Sequence, residues 1–73
     1  MTNVEMLQKR IKDSGYKVQF IAEKMGLSRA GLYKKINGQN EFMTSEVEKL
    51  CEILHIESLE ERQEIFFAKA VDK

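Results

Sequence analysis

The chain of 73 residues is long enough for one small hydrophobic core, and its single cysteine and single histidine exclude an internal disulfide and a zinc-type cluster. Proline is absent and helix formers dominate, so we expect one all-α domain over residues 1–73. No apolar run approaches the ~20 residues of a membrane span and no signal-peptide pattern opens the chain, so we expect the protein to be cytosolic. The net charge of zero hides a division: residues 1–38 carry eight basic and three acidic side chains, and residues 39–73 carry four basic and nine acidic ones.

The first predicted helix spans residues 3–14. Thr2 and Glu5 have the spacing of a capping box, which predicts that this helix begins beside Thr2. Leu7 and Ile11 lie one turn apart and are expected to face the core. Gly15 follows as the residue at which the helix would end, because glycine adopts positive φ without steric penalty.

The second predicted helix runs from about Lys17 to Met25. Ile21, Ala22 and Met25 share one face of it, and the small side chain of Ala22 would allow another helix to cross closely. Phe20 lies off that face. Two interpretations remain open for Phe20: it packs against the first or last helix, or it is an exposed side chain that a partner covers.

A tight corner and a third helix, Arg29 to Ile36, follow directly. Gly26 is suited to end the second helix, and Ser28 is suited to cap the third. Gly31 is unusual inside a helix, and its missing side chain predicts a close contact with the second helix or with DNA. Helix, short turn and helix at this spacing are typical of a helix-turn-helix.

The fourth predicted helix begins at Thr44, which is expected to cap it, while Phe42 anchors the preceding loop of residues 37–43 in the core. His55 is expected at the end of the helix. Its apolar stripe at i, i+3, i+4 and i+7 consists of Val47, Leu50, Cys51 and Leu54. Cys51 is therefore interpreted as a buried apolar residue, and its spacing from His55 as a coincidence rather than a catalytic pair.

The last predicted helix runs from Leu59 to about Val71, behind a second capping box formed by Ser58 and Glu61. It contains three consecutive bulky residues, Ile65 to Phe67. Successive side chains on a helix are ~100° apart, so part of this run would serve a second surface, for dimerisation or another protein contact. The alternative is that the small domain buries all three.

Most of the sequence resembles the lambda-repressor-like (Cro/XRE) helix-turn-helix family. The matching pattern consists of Ile21-Ala22, Gly26, Leu27, Ser28 and Leu32, then Asn37-Gly38 and a helix begun by Thr44. The resemblance covers roughly residues 4–56. The runs from Leu32 to Gly38 and from Ile65 to Phe67 are similar in particular to small Cro-like regulators of temperate phages of Gram-positive bacteria.

Two positions depart from the family pattern. Lys17 stands where a Ser or Thr cap is usual, which leaves the cap of the second helix unexplained. Lys35 stands where an apolar core residue is common, so Ile36 is expected to take that place in the core.

The resemblance implies a compact five-helix, lambda-repressor-like fold with the helix-turn-helix at about 18–36. The full sequence motif of the family would span residues 18–38, and the last helix of the domain would span about 59–71. The third helix would then lie in the major groove of operator DNA, where Arg29 can pair with guanine and Lys34 and Lys35 can neutralise phosphates. The loop after it would follow the DNA backbone. The residues predicted to bind DNA are Lys17, Gln19, Ser28, Arg29, Ala30, Tyr33, Lys34, Asn37, Gln39 and Asn40.

Two functions compete on these observations, and an enzyme is rejected because no carboxylate pair, metal cluster or phosphate-binding loop is present; no cofactor is expected. In the first, a phage-type regulator in the bacterial host cytosol binds operator DNA as a dimer. In the second, the protein binds a phage CI-type repressor through its acidic half and alters the repressor's DNA binding. The residues predicted to contact a second copy or a partner are Phe20, Glu60, Glu61, Glu64, Phe66 and Phe67.

Overall fold

Five α-helices make up the regular structure of the computed structural model, which describes residues 1–68. They are α1 (Val4–Ser14), α2 (Val18–Met25), α3 (Arg29–Ile36), α4 (Thr44–Leu54) and α5 (Leu59–Phe66). No strand occurs within residues 1–68, so the predicted all-α fold is confirmed.

The starts of the helices follow local capping, and two of the predicted caps are wrong. Asn3, not Thr2, caps α1: the Asn3 Oδ1 atom accepts a hydrogen bond from the Met6 amide at 3.1 Å, while Thr2 is buried. Met43, not Thr44, is the N-cap of α4, and its amide donates to Glu46 at 2.9 Å. Glu46, in the first turn of α4, thus provides the acceptor for the backbone amide of the N-cap residue.

Two predicted caps are confirmed. The hydroxyl groups of Ser28 and Ser58 accept bonds from the backbone amides three residues later, at 3.0 and 3.2 Å. At the other end of α4, His55 takes a left-handed conformation with φ of 58°.

The core lies where α1, α2, α3 and α4 meet, and the end of α5 closes it. Phe42 packs edge-on against Phe66 with ring centres 5.5 Å apart, which confirms that the loop after α3 is anchored. The predicted stripe of α4 is buried. The buried apolar residues are Leu7, Ile11, Ile21, Ala22, Leu32, Ile36, Val47, Leu50, Cys51, Leu54, Ile56, Ile65 and Phe66.

The last helix is shorter than predicted, because α5 ends at Phe66; the rest of the predicted span, 69–71, lies outside the described residues. Ile65 and Phe66 are buried, whereas Phe67 is 49% exposed. The alternative that the domain buries all three bulky residues is therefore wrong, while a contact of Phe67 with a second copy or a partner stays a prediction. The prediction that Phe66 contacts a partner is wrong, since its ring fills the core.

Candidate nucleic-acid interface

The angle between α2 and α3 is fixed by a short corner. Gly26 adopts φ of 72° and ends α2, and the Leu27 amide donates to the Ala22 carbonyl at 2.9 Å. Ala22 and Leu32 are fully buried where the two helices pack. The buried side of α3 therefore holds it against α2 and leaves the opposite side of α3 facing outwards.

The start of α3 is held by the cap that Ser28 provides. The Ser28 hydroxyl oxygen accepts a hydrogen bond from the Gly31 amide, so one of its two lone pairs is already used within the protein. A Cβ atom at Gly31 would lie 3.0 Å from the Ser28 Oγ atom. The predicted contact of Gly31 with α2 is therefore wrong, and its missing side chain makes room for the serine cap.

The outward side of α3 carries four of the predicted DNA-binding residues. Arg29, Ala30, Tyr33 and Lys34 are all exposed. The Arg29 guanidinium carbon lies 5.6 Å from the centre of the Tyr33 ring. A methyl group, an aromatic ring with a hydroxyl and two cations are side-chain types that contact thymine, base edges and phosphates.

A shallow groove of about 410 Å³ joins this side of α3 to the beginning of α2. It brings together Lys17, Gln19, Arg29 and Tyr33, which the sequence predicted, and it adds Tyr16. No side chain caps α2 at Lys17, so its first-turn amides are available to an anion such as a DNA phosphate. Tyr16 was not predicted, because a tyrosine before a helix is common at the edge of a core; the adjacent Lys17 was the available signal.

The loop after α3 turns its backbone inwards. The amides of Asn37 and Gly38 donate to the carbonyls of Tyr33 and Lys35, and those of Gln39 and Asn40 donate to Lys34. The predicted DNA contacts of this loop consequently depend on side chains. Those of Asn37, Gln39 and Asn40 are exposed.

Two residues near this loop serve the protein itself. The Asn37 Oδ1 atom accepts a bond from the Gln8 amide group at 3.1 Å, which leaves the Asn37 amide nitrogen to donate outwards. The Lys35 ammonium pairs with Glu46 at 2.5 Å, and both side chains are 16% exposed. The suggestion that Lys35 neutralises a phosphate is therefore wrong, whereas Lys34 remains exposed.

The residues predicted to meet a partner do not form one patch. Phe20 is 39% exposed and packs on Tyr16 with ring centres 4.9 Å apart. Glu61 pairs with Arg10 at 3.0 Å. Glu60 and Glu64 are exposed on α5, and Phe67 is exposed directly after it.

Cys51 has the environment of a structural residue. Its side chain is 2% exposed, and burial raises the pKa of the thiol, outweighing the neighbouring Arg62. A thiol with a raised pKa is a poor nucleophile. Across residues 1–68, no group of three or more His, Cys, Asp and Glu side chains could hold a metal ion, and no helix there is long and apolar enough to cross a membrane.

A comparison with protein families gives a match over residues 6–61 to the Cro/C1-type helix-turn-helix DNA-binding domain. The chain belongs to this family. Comparisons with curated proteins and with solved structures gave no significant match. Membership establishes α2 and α3 as the helix-turn-helix of a DNA-binding domain, and it supports a role in transcription regulation.

Proposed function

We propose that this Cro/C1-type domain is a small phage-type transcription regulator, a Cro-like repressor or antirepressor of a lysis–lysogeny switch that acts on operator DNA in the bacterial host cytosol. The observation that carries the proposal is the outward side of α3, where Arg29, Ala30, Tyr33 and Lys34 are exposed together. The groove and the uncapped start of α2 supply phosphate contacts on the same side. A second copy of the chain would read the second half-site of a palindromic operator.

Selection from a library of random DNA duplexes tests this proposal, because the selection itself reveals the operator sequence. We expect the protein to enrich one sequence motif, and Arg29→Ala to weaken binding to that motif by about 1–3 kcal/mol and to relax preference at one base pair. Lys49→Ala is the matched control, because Lys49 is an exposed cation on α4, outside the proposed interface. A protein that enriches no motif, or a preference unchanged by Arg29→Ala, would contradict the proposal.

A second function is favoured by the exposed side of α5. Leu59, the first residue of α5, is 73% exposed, and Phe67, which follows α5, is 49% exposed; Glu60 and Glu64 lie between them in the sequence. Apolar residues among carboxylates suit a protein partner with a basic surface. We propose as the alternative that this side binds a CI-type repressor and alters its DNA binding. The runs from Leu32 to Gly38 and from Ile65 to Phe67 are also similar to the lactococcal phage modulator of repression, and switch proteins of that kind can act through their repressor partner.

Charge reversal on α5 separates the two functions. Glu60→Lys with Glu64→Lys is expected to weaken binding to a CI-type repressor while DNA binding by the protein alone stays unchanged or becomes tighter. Glu61 is left intact because it pairs with Arg10. Binding of the repressor that does not respond to the reversal would contradict the alternative.

A further inference from the structure

The exposed side of α3 contains an arginine and a tyrosine in contact. The guanidinium carbon of Arg29 lies 5.6 Å from the centre of the Tyr33 ring, one helical turn further along. None of the ion pairs among residues 1–68 includes Arg29. The aromatic ring, rather than a carboxylate, is therefore the group that restrains this cation.

This kind of contact leaves the hydrogen-bonding capacity of an arginine intact. A ring attracts the guanidinium through the ring face, whereas the five N–H donors lie in the guanidinium plane. A carboxylate partner would occupy the same donors that guanine needs. An arginine held by a ring thus loses conformational freedom before binding and keeps its donors for the O6 and N7 atoms of guanine.

The backbone beneath the pair is fixed as well. Arg29 is the first residue of α3, directly after the Ser28 cap, and Leu32, the residue before Tyr33, is fully buried in the core. Tyr33 is 39% exposed and lines the groove beside Tyr16. The ring is consequently placed by the packed side of the helix, and Arg29 is placed by the ring.

We propose that Tyr33 is a positioning residue for specificity: its ring, and not its hydroxyl, holds the Arg29 guanidinium ready to pair with a guanine in the major groove. The inference rests on the proposed DNA-binding function. It assigns the base pair that Arg29 reads as G·C, and it makes recognition at that base pair depend on an aromatic side chain at position 33.

The test compares two substitutions on the DNA motif that the unmodified protein enriches from a duplex library. Tyr33→Phe keeps the ring and removes the hydroxyl, and it is expected to retain the preference for guanine. Tyr33→Leu removes the ring, and it is expected to lower that preference by about two- to five-fold, the loss that corresponds to one exposed cation–π contact. Circular dichroism of each variant establishes that α3 is retained.

A double-mutant cycle with Arg29→Ala excludes a merely structural effect. If the ring acts through Arg29, Tyr33→Leu has no further effect on base preference once Arg29 is alanine. Preference that is unchanged in Tyr33→Leu, that is lost equally in Tyr33→Phe, or that falls additively in the double variant would overturn the inference and leave the proposed function standing. A library that the unmodified protein fails to enrich would overturn both.

Discussion

At the scale of single residues, His55 has a strained backbone conformation. Its φ of 58° is the only positive φ of a residue other than glycine within residues 1–68. In this left-handed region the Cβ atom crowds the following carbonyl, which costs about 1–2 kcal/mol. The strain is tolerated because the turn brings the Ile56 amide to the Cys51 carbonyl at 2.9 Å and ends α4.

We expect His55→Gly to stabilise the protein. Glycine relieves the strain but gains more freedom in the unfolded chain, so the expected net increase in the free energy of unfolding is about 0.5–1 kcal/mol. Urea denaturation followed by circular dichroism measures it. His55→Ala is the control, since alanine retains the Cβ atom. An equal increase in both variants would contradict the explanation by backbone strain.

At the scale of the helices, Arg10 joins three of them. From α1 its guanidinium donates to the Leu54 and His55 carbonyls at 3.0 and 3.3 Å, at the end of α4, and it pairs with Glu61 of α5. Arg10→Ala would leave these groups without their charged partner, and we expect the free energy of unfolding to fall by about 2 kcal/mol. Urea denaturation measures the loss.

Lys9→Ala provides the matched control for Arg10→Ala. Lys9 also lies on α1 and is paired, but its contact with Asp13 is at the surface, where solvent screens it. We expect little change in stability from Lys9→Ala. Similar losses in the two variants would show that Arg10 contributes no more than a surface cation.

The ion pair between Lys35 of α3 and Glu46 of α4 makes stability depend on pH. Burial by itself raises the pKa of Glu46, but hydrogen bonds from the Lys35 ammonium and the Met43 amide, together with the lysine charge, outweigh it and lower the pKa below its ordinary value of 4.5. A carboxylate with a lowered pKa in the folded state contributes stability above pH 4.5 and loses it as the pH falls through the folded-state value.

We therefore expect the free energy of unfolding to fall below pH 4.5, and the part due to this pair to be absent in Glu46→Gln. Urea denaturation at a series of pH values measures both. Glu48→Gln is the control, because Glu48 is an exposed carboxylate on the same helix. A pH profile of Glu46→Gln that parallels that of the unmodified protein would be inconsistent with this role.

The helix ends show which features of the fold could be predicted from the local sequence. Ser28 and Ser58 were predicted correctly as caps because the hydroxyl group of each accepts a bond from the amide three residues later, as serine at this position commonly does. The fourth helix begins at Thr44 as predicted, but its predicted cap was wrong: Met43 is the N-cap, and its amide donates to the Glu46 carboxylate. Local pattern identifies a helix better than it identifies the residue that caps it.

Tertiary contacts account for the remaining errors. The pairing of Lys35 with Glu46 and the burial of Phe66 depend on how the helices pack against one another. The spacing of residues within a single helix carries no information about that packing. The exposed side of α3 could be predicted, since Leu32 and Ile36 mark its buried side. That these exposed residues bind DNA stays a prediction, which a binding experiment with DNA tests.

At the scale of the whole molecule, fewer cations are available to DNA than the basic half suggests. Arg10 and Lys35 form ion pairs with carboxylates of the acidic half, whereas Lys17, Lys24 and Lys34 are exposed. If Lys34 neutralises one phosphate, Lys34→Gln should reduce the slope of log K against log salt concentration by about 0.9. Fluorescence anisotropy with a labelled duplex measures the slope.

Lys49→Gln removes an equal charge from α4, outside the proposed interface, and its slope is expected to match that of the unmodified protein. Equal reductions in the two variants would mean that net charge, rather than a contact made by Lys34, governs the salt dependence.

The segment before α1 is joined to the end of α5, and this has a consequence for folding. The Asn3 amide donates to the Ile65 carbonyl at 2.6 Å, and the Ala68 amide donates to the Met1 carbonyl at 2.9 Å. These bonds join residues that are more than sixty positions apart in the sequence. Contacts between residues so distant in the chain require a large loop to close, so we expect the docking of this segment on α5 to be among the slowest steps in the folding of the domain.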